Sequence, residues 1–432
     1  MIPALKAFWS SQLFRNYLKV FSVDVLVKAS GIILLPVYLR LMSQEEFGLY
    51  GYIVAIIGTF SLVFNLGVYT AQSKLYHDYP ERRGEIVFTI NVILLAFIVM
   101  LLLSVLVFDL DYRVVSFLFT QDLDYSKYRY VILLAVVATV YSHMVTNFFL
   151  TSEKLSSVQL YNTLRIILIN VVVLTILALT DERDRAFQRI QLTYIVEAVI
   201  LSFFLVVYIR NMSPVFDQKI ARRALKISLP VLCSAILGLF INLTDRYAIE
   251  KFGTLADMSV YNVALSIAGV IPFVFASFQN VWLPHFLKEK DMEINRQRSK
   301  KMVIRLAIIF GVMGAAILIG MKLLLLTNII EDKYNSVTTI LPVVLLTSAV
   351  SSLTIMYSNH LIYMDKLYII ILTGFPLAFL AVGLNFNLVP RFNVMGAAIS
   401  SLIVSSCYLI VYGVIVTNFY KKTANTESNN IL

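Results

Sequence analysis

The chain has 432 residues, 59% of them hydrophobic and only 14% charged, with a formal net charge of +10. A soluble domain carries nearer a quarter charged residues, so the composition describes a membrane protein and leaves no room for a soluble domain of ordinary size. The two cysteines, Cys233 and Cys407, sit in separate apolar runs, which predicts free thiols with no disulfide framework and no metal site.

The opening "MIPALKAFWSSQLFRNYLK" lacks an apolar core followed by a small-residue cleavage site. It reads as a retained interfacial lead-in, with Trp9 and Phe14 at headgroup level. Crossing a ~30 Å hydrocarbon layer takes about 20 apolar residues. Backbone groups in lipid must be satisfied within the segment, so each long apolar run is predicted as a helix. Twelve follow in chain order: 19–40, 48–70, 87–108, 130–151, 161–180, 190–209, 228–249, 259–282, 303–327, 338–360, 367–389 and 395–417. The predicted fold class is all-α polytopic, with six-helix bundles over 1–209 and 228–417, a basic linker at 210–227 and a tail at 418–432. Pro36, Pro272, Pro342 and Pro376 are predicted to interrupt their helices, as in carriers that rock between states or as helix packing alone requires.

Basic residues set the orientation. The connections on the side of the N-terminus, with Arg305, hold 21 lysines and arginines against 11 on the opposite side, so both termini are predicted to be cytoplasmic. The positive charge is then mostly this bias, attractive to anionic lipid headgroups, and does not point to nucleic acid. The halves also resemble each other. "RNYLKV" at Arg15 pairs with "RRALKI" at Arg222, and "EFGLYGYIVAI" at Glu46 with "DMSVYNVALSI" at Asp257, at offsets of 207 and 211 residues. A parallel repeat of six spans predicts an axis along the membrane normal and a cavity at the repeat interface.

Charged residues within the spans are the candidate functional groups, because each is costly in lipid and must face protein or water. Asp24 and Lys28 lie four residues apart on one face of the first span. Either they neutralise each other and fix packing, or they line a wet cavity in which Lys28 meets an anionic substrate and Asp24 exchanges a proton or cation. Glu197, deep in the sixth span, has no sequence-local partner and is either a coupling acid or a packed, protonated carboxyl. Asp245 and Arg246 are adjacent in "LFINLTDRYAIEKFG" and, being adjacent, are expected to serve different partners. Arg165 and Lys322 lie near span ends and are candidates for snorkelling as well as for a cationic lumen. Asn65, Asn91, Asn147, Asn170, Asn242, Asn262, Gln279 and Asn280 are each suited to interhelical hydrogen bonding, and together to a polar lumen.

The connections limit the chemistry. The longest outer one, "DLDYRVVSFLFTQDLDYSKYR", is too short to hold the acceptor and acid of a glycan polymerase or glycosyltransferase. No Walker sequence is present, and His77, His143, His285 and His360 are scattered without metalloprotease spacing. The expectation is a protein that is not an enzyme and uses no cofactor.

Three longer stretches carry a resemblance. "ILLPVYLRLMSQEEFGLYGYIVAIIGTFSLVFNLGVYTAQSKLYHD" is similar to the opening hairpin of the polysaccharide flippases, the O-antigen (Wzx-type) transporters. "RRALKISLPVL" followed by "LTDRYAIEKFGTLADMSVYNVALSIA" resembles the start of their second half. "LNFNLVPRFNVMGAAISSLI" resembles the turn between their helices 11 and 12, with Asn393 where that family commonly has glycine. The larger superfamily includes multidrug and toxin extruders, and the resemblance implies a MATE-like fold. It further implies a bacterial inner-membrane protein that moves undecaprenyl-pyrophosphate-linked oligosaccharide, such as a lipopolysaccharide O-antigen unit, between leaflets by ion-coupled alternating access. A polysaccharide polymerase and chain-length machinery would be its partners. On that reading Lys28, Arg165, Arg246 and Lys322 are available to the substrate, and Asp24, Glu197 and Asp245 to the coupling ion. The rivals are an organic-cation extruder of the same superfamily, which would prefer an acidic or aromatic cavity, and a polytopic glycan enzyme.

Overall fold

The computed structural model describes residues 30–120, 124–180, 184–289, 291–364, 366 and 368–429, and no strand occurs among them. Ten stretches are long and apolar enough to cross a membrane, and one of them, Tyr368–Tyr420, covers two of the predicted spans. With Ser30–Leu41 they account for the twelve predicted spans. The protein is therefore a multi-pass membrane protein. The chain divides into two compact units, Met1–Leu239 and Phe240–Leu432.

The first unit contains α1 (Leu35–Leu41), α2 (Gln44–Phe64), α3 (Val68–Asp78), α4 (Arg83–Phe108), α5 (Leu110–Leu118), α6 (Tyr125–Thr151), α7 (Leu155–Leu179), α8 (Arg185–Arg210) and the first part of α9 (Gln218–Phe252). The second contains the rest of α9, then α10 (Leu255–Ala268), α11 (Val270–Lys288), α12 (Met292–Leu326), α13 (Val337–Tyr363), α14 (Tyr368–Phe392) and α15 (Val394–Asn429). The unit division falls inside α9, and residues 218–227 of the expected linker are already helical.

Local chemistry explains several boundaries. At the start of α2 the Glu46 N–H donates to Ser43 Oγ (3.1 Å) and the Ser43 N–H donates to Glu46 Oε2 (3.0 Å). This reciprocal cap satisfies two backbone donors that a helix start otherwise leaves open. Thr254 and Asp257 form the same cap on α10, 211 positions later, so the repeat seen in sequence extends to the capping atoms. Pro36 and Pro272 stand in the first turns of α1 and α11, where a proline removes no helical hydrogen bond, whereas Pro342 and Pro376 lie inside α13 and α14. Pro230 and Pro390 are further internal prolines, in α9 and α14. The α14–α15 turn places Asn393 at φ 50, a left-handed conformation that asparagine tolerates better than other residues with a side chain. That is the physical reason asparagine stands where glycine was expected.

The expected second span, 48–70, is broken. Α2 ends at Phe64, Gly67 turns at φ +68, and α3 begins at Val68. A Cβ at Gly67 would lie 2.8 Å from the Val231 Cβ and 2.9 Å from the Ser228 carbonyl oxygen. Gly67→Ala therefore meets a left-handed penalty of about 1–2 kcal/mol as well as steric pressure from α9. The expected outcome is a fall of several degrees in the thermal unfolding midpoint of detergent-purified protein. An unchanged midpoint would show that α9 yields.

Within lipid there is no hydrophobic drive between helices, so cohesion comes from close packing and interhelical hydrogen bonds. In the first unit Val68, Ala71 and Leu75 of α3 pack with Ile86, Ile90 and Leu94 of α4 and Met144 of α6. A second cluster joins Phe148 and Phe149 of α6, Tyr161 of α7, and Phe204 and Tyr208 of α8. Asn147 Nδ2 donates to the Tyr69 carbonyl (2.9 Å), Tyr208 Oη to Gln72 Oε1 (3.0 Å), and Tyr38 Oη to Asn170 Oδ1 (2.9 Å). In the second unit Gln279 and Asn359 exchange hydrogen bonds of 2.8 and 3.1 Å. Asn147, Asn170 and Gln279 thus act as the interhelical ties expected of them. Apolar side chains such as Val99, Leu103 and Val107 of α4 and Ile304, Ile308 and Val312 of α12 are exposed, as suits a lipid-facing surface.

Connections of each predicted side gather together within a unit. In the first, Arg82 binds Asp217 (2.6 Å), Arg223 binds Asp78 (3.2 Å), and Lys154 reaches Asn211 (3.1 Å), linking three connections of the predicted cytoplasmic side. Arg82 and the backbone N–H groups of Ile220 and Lys219 hold the Asp217 carboxyl below the usual carboxylate range. Three connections of the other side meet through the contacts of Lys127 with Asp184 (2.6 Å) and of the Arg185 N–H with Glu46 (2.8 Å).

Candidate functional site

Three helical faces in the second unit are polar at helical spacing. Α9 presents Asn242, Asp245 and Arg246; α13 presents Thr347, Ser348, Ser351, Thr354 and Ser358; α15 presents Ser401, Ser405, Tyr408 and Tyr412. Steps of three or four residues run through Ser401, Ser405, Tyr408 and Tyr412 and through Ser348, Ser351, Thr354 and Ser358, and relate Asn242 to both Asp245 and Arg246, which puts each set along one side of its helix. With Tyr261 of α10 and Asn385 of α14 they line one cavity of about 560 Å³. Cα-proximal hydroxyls satisfy themselves against their own helices, as Thr347 and Thr354 do by donating to the carbonyls four residues back (both 2.9 Å). The hydroxyls thus add polar atoms to walls that Ile241, Leu265, Val344, Ile355 and Val404 keep partly apolar.

Asp245 and Arg246 are the charged residues of this cavity, and the structure brings them to the same site although they are neighbours in sequence. Asp245 is 6% exposed. Its Oδ2 accepts from Tyr261 Oη (2.6 Å) and its Oδ1 from the Arg246 backbone N–H (2.7 Å). The Arg246 side chain donates through Nη1 to the Asn242 carbonyl (2.8 Å) and through Nε to Asn262 Oδ1 (3.5 Å), with Nη1 3.8 Å from Asp245 Oδ1. Those contacts anchor the guanidinium by one edge, and Nη2 makes no hydrogen bond among the described residues. Asn385 and Ser400, both lining the cavity and both buried, leave Oδ1 and Oγ respectively without a partner among the described residues. An arginine fork with a spare donor suits phosphate, and the hydroxyls suit a sugar.

The other candidates lie elsewhere. Glu197 of α8 is fully buried but not solitary: Nη2 of Arg165, on α7, lies 3.1 Å from each carboxylate oxygen. The arginine side chain is 40% exposed, so one member of the pair reaches the protein surface and the other does not. Lys322 is exposed on α12, four residues before the helix ends, and does not line the cavity. Asp24 and Lys28 lie outside the described residues. No cluster of three or more metal-ligating side chains occurs among the described residues, and Cys233 and Cys407 are unpaired. The hydroxyl stripes of α13 and α15 were not singled out from sequence. Their signal was present, as serine, threonine or tyrosine recurring every three or four residues in otherwise apolar runs.

Residues 13–290 match the family described as polysaccharide biosynthesis protein. The chain belongs to that family. No curated relative matches the sequence. Among solved structures, an inward-facing multidrug resistance MATE family transporter of the MOP superfamily is similar at 14% identity and a TM-score of 0.70, over 93% of this chain and 95% of that one. The lipid II flippase MurJ, in an inward closed conformation, is similar at 14% identity and a TM-score of 0.71, over 92% of this chain and 87% of that one. A MOP superfamily transporter from Pyrococcus furiosus, described by a reversed polarity of its binding pocket, is similar at 12% identity and a TM-score of 0.57 over 94% of both chains. This member of the polysaccharide biosynthesis family therefore has the MOP transporter fold, as the sequence predicted.

Proposed function

We propose that the protein is a flippase that carries undecaprenyl-pyrophosphate-linked oligosaccharide, an O-antigen or related repeat unit, across the bacterial inner membrane by ion-coupled alternating access. The observation that carries this reading is Arg246, whose Nη2 makes no hydrogen bond among the described residues, in a cavity where serine, threonine and tyrosine hydroxyls are interleaved with apolar side chains. Taking a pyrophosphate and sugars through hydrocarbon without partners would forfeit hydrogen bonds at several kcal/mol each, roughly, and such a cavity avoids most of that loss. At about 560 Å³ it accommodates the pyrophosphate and the nearest sugar while the polyprenyl chain stays in the bilayer. The family description and the shared fold of a lipid II flippase support the same class of substrate. Asp245, which lines the same cavity as the Asn385 and Ser400 oxygens that have no partner among the described residues, is the group assigned to the coupling ion.

The test is the leaflet distribution of lipid-linked oligosaccharide in cells with and without the protein, read with a periplasm-restricted enzyme that cleaves only outward-facing carrier. Deletion is expected to leave oligosaccharide protected on the inner leaflet. An unchanged distribution in a strain with no redundant flippase would sink the reading and move an extruder to first place.

A further inference from the structure

A second cavity, of about 300 Å³, lies among the first turns of α12, the last turns of α13 and the Val416–Tyr420 stretch of α15. It shares no lining residue with the cavity around Arg246. Arg296, Ser299 and Lys300 of α12 face it, and steps of three and four residues put them on one stripe. Arg296 stacks over the Tyr420 ring, with its guanidinium carbon 5.6 Å from the centroid. The opposite wall is ordered by His360, whose Nδ1 is 2.8 Å from Tyr420 Oη. Ser299 is 5% exposed, and its Oγ has no hydrogen-bond partner among the described residues. Lys300 makes no ion pair among them, and Arg296 has only the exposed Glu293, at 3.3 Å, which screens it weakly. A buried hydroxyl without a partner, flanked by two cations, fits a phosphate oxygen.

What joins this pocket identifies the rest of the ligand. A groove of about 410 Å³ runs along α15 past Leu409, Ile410, Gly413 and Val414, and it shares Tyr357 and Thr417 with the basic pocket. Ile410 and Val414 are more than half exposed, so the groove is an apolar channel open on one side. Free phosphate has no use for such a channel, whereas a lipid has both parts. The basic pocket also lies at the end of the unit that carries the lysine- and arginine-rich connection 283–302, the end that basic-residue bias predicts at the cytoplasmic leaflet, where anionic headgroups attract such clusters.

We propose that this pocket and groove form a binding site for an anionic phospholipid, with its phosphate on Arg296, Ser299 and Lys300 and an acyl chain along Gly413 and Val414. The site is separate from the cavity that would take the transported substrate.

The experiment is native mass spectrometry of the full-length protein in detergent, incubated with phosphatidylglycerol, phosphatidylcholine or inorganic phosphate. Wild type is expected to retain phosphatidylglycerol over phosphatidylcholine by about thirtyfold, the gain that two juxtamembrane cations bring. Arg296→Ala combined with Lys300→Ala is expected to lose that preference. Gly413→Phe is expected to cut phosphatidylglycerol retention several-fold, since a Cβ there meets only a Tyr357 ring atom at 3.9 Å and leaves the backbone undisturbed while the ring fills the groove. Both variants alter side chains away from the packed core, and unchanged thermal midpoints would show that they fold. Phosphatidylglycerol retention equal to wild type in the double variant overturns the proposal. So does competition by millimolar inorganic phosphate together with no effect of Gly413→Phe, which would mark a free-anion site.

Discussion

Arg246→Ala is expected to lower the initial rate of oligosaccharide flipping by about 10- to 100-fold, the loss of one charge-assisted hydrogen bond worth about 1.5–3 kcal/mol. On the proposed function the guanidinium meets the pyrophosphate through Nη2, the edge left open by its contacts to Asn242 and Asn262. Removing the arginine also deprives Asp245 of a cation at 3.8 Å, so the alanine variant alone mixes two effects. Arg246→Lys separates them. It keeps a positive charge near Asp245 but loses the planar fork, and a rate between alanine and wild type is expected. Leaflet protection measured on membranes with matched amounts of protein reads all three. A rate within twofold of wild type for Arg246→Ala would falsify the assignment of this cavity to the pyrophosphate.

The second large effect concerns the Arg165–Glu197 pair, whose two members sit in different surroundings. Arg165→Leu leaves the fully buried Glu197 carboxylate without its partner, and a loss of about 3–5 kcal/mol of stability is expected. Glu197→Leu removes the buried charge and leaves Arg165, already 40% exposed, to water or headgroups, so its cost is expected to be smaller. Combining the two should restore most of the stability, because an apolar pair of similar volume has no charge to desolvate. Thermal unfolding of the three detergent-purified variants measures that ordering. If the pair serves transport, the stable double variant flips poorly. If it flips at the wild-type rate, the pair serves packing alone.

Much of this architecture is determined by the chain itself. Runs of about 20 apolar residues leave the backbone one way to satisfy its hydrogen bonds in lipid, so twelve crossings in order follow from hydropathy. The caps at Ser43 and Thr254 and the left-handed Asn393 are local too, since each depends on residues within a few positions. The break at Gly67 was hidden because an apolar run reads the same on either side of one turn, and the close approach of Val231 that demands glycine comes from a helix far along the chain. Which buried polar residues act together was decided only by tertiary packing. Arg165 and Glu197 are 32 positions apart and on separate helices, yet paired. Lys322 is as charged as Arg246 but faces outward. Hydropathy assigns a residue its depth in the membrane. Its direction depends on how neighbouring helices rotate to bring hydroxyls and charges onto one another, because an unpaired polar group in lipid is costly while a paired one is not.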